Sequence, residues 1–169
     1  MPFDLRTSGE CKSEIDELLK KLRKMKIGSY SRINLTKYAF ILVAEYLKTA
    51  FIEAFLNYYM QKTSDVYINN HFYNTMRYWN RELKKEVIVG FLRRMDSRLE
   101  TELEDFVKKR GLDLRKFYLS CDSVVDNRNN IAHFQIVTVN ENDLRNWYYD
   151  IYVFIILLSD FLFKKLKLS

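Results

Sequence analysis

An arginine and a histidine five positions apart, Arg128 and His133, have the side chains best suited to chemistry in this sequence. Histidine has an unperturbed pKa of about 6.5, so it can transfer protons near neutral pH. Arginine stays protonated and can hold an anion such as a phosphate. The arginine lies within a run of polar residues, 126–130. Polar clusters at helix ends often hold functional groups, although asparagine also simply caps helices.

The spacing of Arg128 and His133 does not by itself bring the two side chains together. Five residues at 100° each place them about 140° apart around a regular α-helix. The side chains converge only if the helix ends or bends near Asn130, or if two copies of the chain combine their residues at one site. The spacing alone does not choose between these alternatives, and an arginine and a histidine can also occur at this spacing by chance.

A carboxylate on a mostly apolar side of a helix, Glu45, is a further candidate. On a helical projection it falls beside Tyr38, Leu42, Thr49, Ile52 and Leu56. A carboxylate in such a place needs a partner, and a basic residue such as Arg128 is one that it could reach. The alternatives are a local pair with Lys48 and plain exposure to solvent.

The small number of turn-forming residues predicts an all-α fold. The 169 residues include four glycines and one proline, whereas average usage would give roughly 20. So few turn formers argue against a sandwich, a barrel or any loop-rich fold. Twelve Tyr, twelve Phe and two Trp supply large side chains for a helical core. We expect a bundle of five to seven helices.

Capping residues and apolar periodicity predict the order of the elements. An amphipathic helix over residues 13–27, starting at Ser13 and stopping at Gly28, forms an N-terminal appendage of residues 1–33. Residues 34–169 form the bundle domain. Its predicted elements are a long central helix from Asn34 to Lys62, helices over 66–79 and 82–106 with a break near Asp96, a helix from Asp113, an extended segment over 134–139 and a final helix over 141–167.

The net charge of +6 and the pI of 9.2 permit a polyanionic partner without proving one. The densest basic run covers residues 20–26, and we expect it to be a solvated face balanced by the preceding acids. Cys11 and Cys121 indicate neither a disulfide framework nor a zinc site. The N-terminus lacks an apolar signal core, and the apolar run at 151–158 is too short to span a membrane. These features predict a cytoplasmic protein.

The string from Ser123 to His133, followed by a threonine-containing spacer and a long apolar helix, resembles the HEPN superfamily. That family carries an arginine followed four to six residues later by a histidine, commonly as Arg-Asn-x-x-Ala-His. The match is most similar to the RiboL-PSP-HEPN or MAE-type branches. The resemblance covers roughly residues 34–167.

The resemblance implies a metal-independent endoribonuclease that needs no cofactor and works as a homodimer. Arg128 and His133 would then be the catalytic pair, Asn129 the polar residue that follows the arginine, and Glu45 an acidic residue facing the motif. The RNA 2′-hydroxyl would attack its own phosphate, leaving a 2′,3′-cyclic phosphate and a 5′-hydroxyl. A setting as a prokaryotic toxin or in antiviral defence is implied, with an antitoxin or regulatory partner. Gln135 replaces the tyrosine that related toxins use for AMP attachment, so that control is not expected here.

Other polar and aromatic stretches have two interpretations each. The basic stretches 81–85, 93–94, 108–110 and 115–116 could line an RNA path, but most should be solvated faces. The aromatic run 147–149 could stack bases, although core or dimer packing is the stronger expectation. His71 has no charged neighbour in the sequence, and we interpret it as structural or as a surface residue.

Two alternatives to an enzyme remain at this point. The chain could be a non-catalytic HEPN module that binds RNA or a partner protein. It could also be a helical interaction protein in which the spacing of the motif is coincidental. In that case we expect Arg128 to form a structural salt bridge, for instance with Asp126 or Asp122, and His133 to cap a helix.

Overall fold

Every regular element is an α-helix in the computed structural model, which describes residues 7–77, 82–133 and 140–168. The helices are α1 (Ser8–Lys24), α2 (Tyr30–Lys62), α3 (Val66–Arg77), α4 (Lys85–Met95), α5 (Leu99–Lys108), α6 (Leu114–Ala132) and α7 (Glu141–Leu168). The predicted all-α architecture is therefore confirmed over these residues. None of these helices combines the length and apolar character needed to cross a membrane. The extended segment predicted for 134–139 lies outside the described residues.

The first helix begins at Ser8 and not near Ser13, because its cap lies earlier than the sequence predicted. Thr7 accepts a hydrogen bond from the backbone N–H of Glu10, and the Glu10 carboxylate accepts one from the N–H of Thr7 at 2.7 Å. This reciprocal cap satisfies two N–H groups that the helix itself leaves unpaired. The helix ends at Lys24, before 27, and Gly28 follows in a turn with a φ of +76° that glycine adopts without strain.

The long central helix also begins earlier than predicted, at Tyr30 and not after Asn34. The Ser29 hydroxyl accepts a hydrogen bond from the N–H of Arg32 at 3.3 Å and caps the helix at this point. The border that we predicted between residues 33 and 34 therefore falls inside α2. The division of the chain into an appendage and a bundle domain stays a prediction.

The helix predicted from residue 82 begins only at Lys85, so the prediction for residues 82–84 was wrong, whereas the other boundaries agree closely with the sequence over the described residues. The carboxylate of Asp65 accepts from the N–H of Tyr67 and starts α3 after the break at 63–65. Asp113 and Asn140 cap α6 and α7 in the same way. The break between α4 and α5 lies at Asp96, where the sequence predicted it.

Helix α2 lies at the centre of the bundle and packs against α1, α3, α6 and α7. Its aromatic side chains Phe40, Phe51 and Phe55 are at most 1% exposed. Phe91 of α4 meets Phe51 and Phe55 at ring-centroid distances of 5.5 and 4.7 Å. Aromatic pairs at these distances add to the burial of apolar surface. The cluster joins α4 to α2, and α6 also packs against α2.

The buried face of α1 belongs to the same core as the other helices. Its apolar stripe contains Cys11, Ile15, Leu18, Leu19 and Leu22. Near this stripe the hydroxyl of Tyr148 on α7 donates to Asp16 at 3.0 Å. Packing and hydrogen bonding together attach α1 to both α2 and α7.

Candidate functional site

The end of α6 carries the two residues of the motif, but it does not bring them together. The helix continues past Asn130 to Ala132, so the bend that would let both side chains converge in one chain is absent. His133 is the C-cap, and its backbone N–H donates to the carbonyl oxygen of Asn129 at 2.9 Å. In this near-helical position its side chain lies about 140° around the helix axis from Arg128. Both side chains are exposed to solvent.

Arg128 lies in a closed set of hydrogen bonds with Asn129 and Glu82. Its Nη1 donates to Glu82 Oε1 at 3.2 Å and to Asn129 Oδ1 at 2.9 Å. The Asn129 amide nitrogen donates in turn to Glu82 Oε2 at 2.7 Å. One carboxylate therefore binds both of the adjacent side chains that the sequence had singled out.

The segment that carries this carboxylate is attached to α6 at two further points. Leu83 is buried, at 2% exposure. The Lys84 ammonium forms an ion pair with Asp126, and this hydrogen bond raises the pKa of Lys84 above its ordinary value. The backbone N–H of Lys85 donates to Asp122 at 2.6 Å. Asp122 and Asp126 lie one turn apart on α6, so residues 82–85 follow one side of that helix.

Glu82 is the residue that the sequence analysis missed. It lies within the charged stretch 81–85, which was considered only for its cations. Its partner Arg128 is 46 positions away, and local sequence patterns do not predict a contact over that distance. The one sequence feature that could have indicated Glu82 is the presence of a carboxylate inside a basic stretch.

An open cleft of about 320 Å³ lies beside this set of hydrogen bonds, between α2 and α6. The structure places Glu45 in its wall together with Arg128, as the sequence had suggested. Glu45 is exposed and forms no hydrogen bond or ion pair with another described residue, so neither the pair with Lys48 nor a direct pair with Arg128 is present. The lining side chains are Ile41, Ala44, Glu45 and Lys48 from α2, Glu82 and Leu83 from the following segment, and Val125 and Arg128 from α6.

Arg128 forms a salt bridge, but neither of the two acids named as examples, Asp126 and Asp122, is its partner. Asp126 binds Lys84 and Asp122 binds the N–H of Lys85, so over the described residues the salt bridge of Arg128 is with Glu82. The capping position predicted for His133 is confirmed. Capping uses only the backbone of His133, so its imidazole stays exposed.

The aromatic run near the start of α7 divides between core and surface. Trp147 packs edge-on against Phe40, and Tyr148 is buried at 8% exposure. Tyr149 is 65% exposed and is the ring of the three that a base could reach. His71 is exposed on α3, in agreement with its interpretation as a surface residue.

The basic run at the end of α1 is exposed and has no acidic partner among the described residues. Two of the preceding acids bind elsewhere: Asp16 pairs with Lys12 at 2.7 Å, and Glu14 accepts from the Tyr38 hydroxyl at 2.8 Å. A groove of about 430 Å³ continues from this run, with Lys37 in its wall. The cations of this run, none of which forms a side-chain hydrogen bond or ion pair with a described residue, are Lys20, Lys21, Arg23, Lys24 and Lys26.

The cysteines and carboxylates of the described residues form no further candidate site. Cys11 and Cys121 are free thiols inside the core. Burial raises the pKa of Cys121, which keeps this thiol protonated. Over the described part of the chain, no group of three or more His, Cys, Asp and Glu side chains is arranged to hold a metal ion.

Comparison with known proteins gives no match to a family model, to a curated protein or to a solved structure. The HEPN resemblance therefore rests on the residues of the motif and on the helical order around it. Gln135, the position at which this chain departs from related toxins, lies outside the described residues.

Proposed function

We propose that this chain is a metal-independent endoribonuclease of the HEPN type that works as a homodimer. The observation that supports this most is the Arg128–Asn129 pair, which already binds a carboxylate at the wall of an open cleft. Two adjacent side chains that bind the two oxygens of a carboxylate can also bind two oxygens of a phosphate. The motif is thus a site for an anion, as a phosphodiester substrate requires.

The proposed chemistry assigns one role to each residue of the motif. Arg128 holds the phosphate and stabilises the charge that develops on its oxygens. The 2′-oxygen of the RNA attacks the adjacent phosphorus while the bond from phosphorus to the 5′-oxygen breaks. His133 of a second copy of the chain accepts the proton of the 2′-hydroxyl, and the leaving 5′-oxygen takes up a proton from water.

A homodimer is part of the proposal because a single chain separates the two catalytic side chains. Arg128 and His133 point to different sides of α6, as described above. A second copy placed over the end of α6 would set its His133 against the Arg128 of the first. A setting in the cytoplasm, as a prokaryotic toxin or defence nuclease under the control of a partner protein, is supported by the resemblance alone.

The proposal is tested with matched RNA and DNA strands in the presence of EDTA. We expect the purified protein to cleave single-stranded RNA and to leave DNA of the same sequence intact, because DNA lacks the attacking hydroxyl. Cleavage of both strands, or activity that disappears with EDTA, would contradict this mechanism.

A non-catalytic module that binds RNA is the second candidate. The observation that favours it is the occupation of Arg128 by Glu82, together with the absence of His133 from the described residues that line the cleft. This candidate predicts an RNA affinity that falls with salt and survives the substitution His133→Ala, with no cleavage by either protein.

A further inference from the structure

We infer that Glu82 is a built-in competitor for the phosphate that Arg128 binds, so that the free protein holds its own site in an occupied state. The inference rests on the proposed function, because it concerns the regulation of the same site. Its basis is the closed set of contacts from Glu82 to Arg128 and Asn129, at 3.2 and 2.7 Å.

The carboxylate satisfies the groups that an incoming phosphate would use. Glu82 Oε1 accepts from the guanidinium, and Glu82 Oε2 accepts from the amide nitrogen of Asn129. It also compensates the positive charge of Arg128. A phosphate that uses the same Arg128 Nη1 and Asn129 amide N–H groups therefore has to displace the carboxylate, while the other N–H groups of the guanidinium form no hydrogen bond with a described residue.

The surrounding contacts return Glu82 to this position. The side chain next to it, Leu83, is buried. The following residue, Lys84, is paired with Asp126, and the N–H of Lys85 is held by Asp122. Because these three attachments do not involve the carboxylate itself, Glu82 can leave Arg128 by rotating its side chain while the backbone stays on α6.

Solvent exposure makes the competition easy to overcome. The side chains of Glu82 and Arg128 are each 45% exposed, and exposed ion pairs of this kind are weak. We expect the loss of the negative charge to raise the affinity for RNA roughly two- to fivefold. A strand that makes several contacts displaces the carboxylate readily, whereas an isolated phosphate does so poorly.

The test measures binding of a single-stranded 2′-O-methyl RNA, which carries phosphates but cannot be cleaved through its 2′-oxygen. The variants are Glu82→Gln, Arg128→Ala and the double variant. Glu104→Gln is the matched control, because it changes the net charge by the same amount at a place remote from Arg128. Glu104 is exposed on α5 near Tyr118, and Tyr118 lies about 15 Å from Arg128 along α6.

The expected result is tighter binding by Glu82→Gln than by wild type or Glu104→Gln, with the gain lost when Arg128 is also removed. Equal binding by Glu82→Gln and Glu104→Gln would overturn the inference, and so would weaker binding by Glu82→Gln. If Arg128→Ala lowers affinity while Glu82→Gln does not raise it, only this inference fails. If Arg128→Ala leaves affinity unchanged, the proposed function fails as well.

Discussion

His133 and Asn129 are joined by a backbone hydrogen bond of 2.9 Å, which holds His133 in register with the helix that carries Arg128. In this register the two positions lie about 140° apart around the axis, so the two side chains of one chain start on different sides of α6. The proposed catalytic pair therefore takes its histidine from a second chain.

Mixing two inactive variants tests whether the active site is shared between chains. Arg128→Ala and His133→Ala are each expected to be inactive alone. In a mixed dimer, the arginine of one chain can meet the histidine of the other, so activity should return to about a quarter of the wild-type value after random exchange of subunits. The measurement is RNA cleavage before and after refolding the two variants together.

The control for subunit exchange is refolding each variant by itself, which should restore nothing. A mixture that stays inactive, although exchange is demonstrated with differently tagged chains, would place both residues of a site in one chain. The separation of Arg128 and His133 seen here would then have to change on RNA binding.

The basic run at the end of α1 should contribute to RNA binding. Its cations, unlike most others of the molecule, form no ion pair with a described residue. Substitution of Lys24 and Lys26 by Gln should lower RNA affinity several-fold. The slope of the logarithm of the binding constant against the logarithm of the salt concentration should become less steep by about 1 for each lysine that contacts a phosphate. Titration at several salt concentrations provides both values.

Arg98 and Lys164, two exposed cations that each form an ion pair with an acid, give a matched control of equal charge. Their substitution by Gln should leave the salt dependence nearly unchanged. An equal loss of affinity in both double variants would show that only the net charge matters.

The start of α2 provides a direct test of the fold. Ser29→Ala should lower the free energy of unfolding by about 1 kcal/mol, because it removes the hydroxyl that accepts from the N–H of Arg32. Asn34→Ala, at an exposed position inside the helix, should change it by less than about 0.5 kcal/mol. Urea denaturation of both variants provides the comparison. If the helix began after Asn34, as the sequence predicted, Asn34→Ala would cause the larger loss in the free energy of unfolding and Ser29→Ala the smaller.

The half-buried contact between Glu141 and Arg32 should make stability depend on pH. Burial favours the neutral form of Glu141, but hydrogen bonds from Arg145 and Arg32 lower its pKa below the ordinary value of 4.5. Because the pKa is lower in the folded state, this carboxylate stabilises the fold above about pH 4.5, and the contribution is lost as the pH falls through the folded-state pKa.

Glu141→Gln should therefore lower the free energy of unfolding by about 2 kcal/mol at neutral pH. The difference from wild type should shrink well below pH 4.5, where the carboxyl group of the wild type is itself protonated. Denaturation curves at the two pH values provide the comparison. A difference that does not change with pH would contradict the assigned contacts.

The fold could largely be predicted from the sequence because its signals are local. The shortage of glycine and proline excluded loop-rich folds, and Asp113 and Asn140 were recognised as helix caps. The errors at Ser8 and Tyr30 have one cause: Thr7 and Ser29 are also capping residues, and the apolar periodicity of the first turn of each helix is too weak to choose between neighbouring candidates.

The candidate site could be predicted only in part because its contacts are distant in sequence. The helical projection of Glu45 predicted that it could reach Arg128; the two residues line one cleft, but they form no direct pair. The contact between Arg128 and Glu82 could not be predicted, since it depends on how residues 82–85 are attached to α6. The proposed convergence of Arg128 and His133 uses a second chain, whose placement the pattern of a single sequence does not specify.

Cleavage of end-labelled single-stranded RNA in EDTA by wild type and by His133→Ala tests the central claim most directly. Loss of a general acid–base group should slow cleavage by about 10²–10⁴-fold, and the wild-type products should carry 2′,3′-cyclic phosphate and 5′-hydroxyl ends. Equal cleavage by the two proteins, or wild-type products with 5′-phosphate ends, would contradict the assignment of His133 and the mechanism with it.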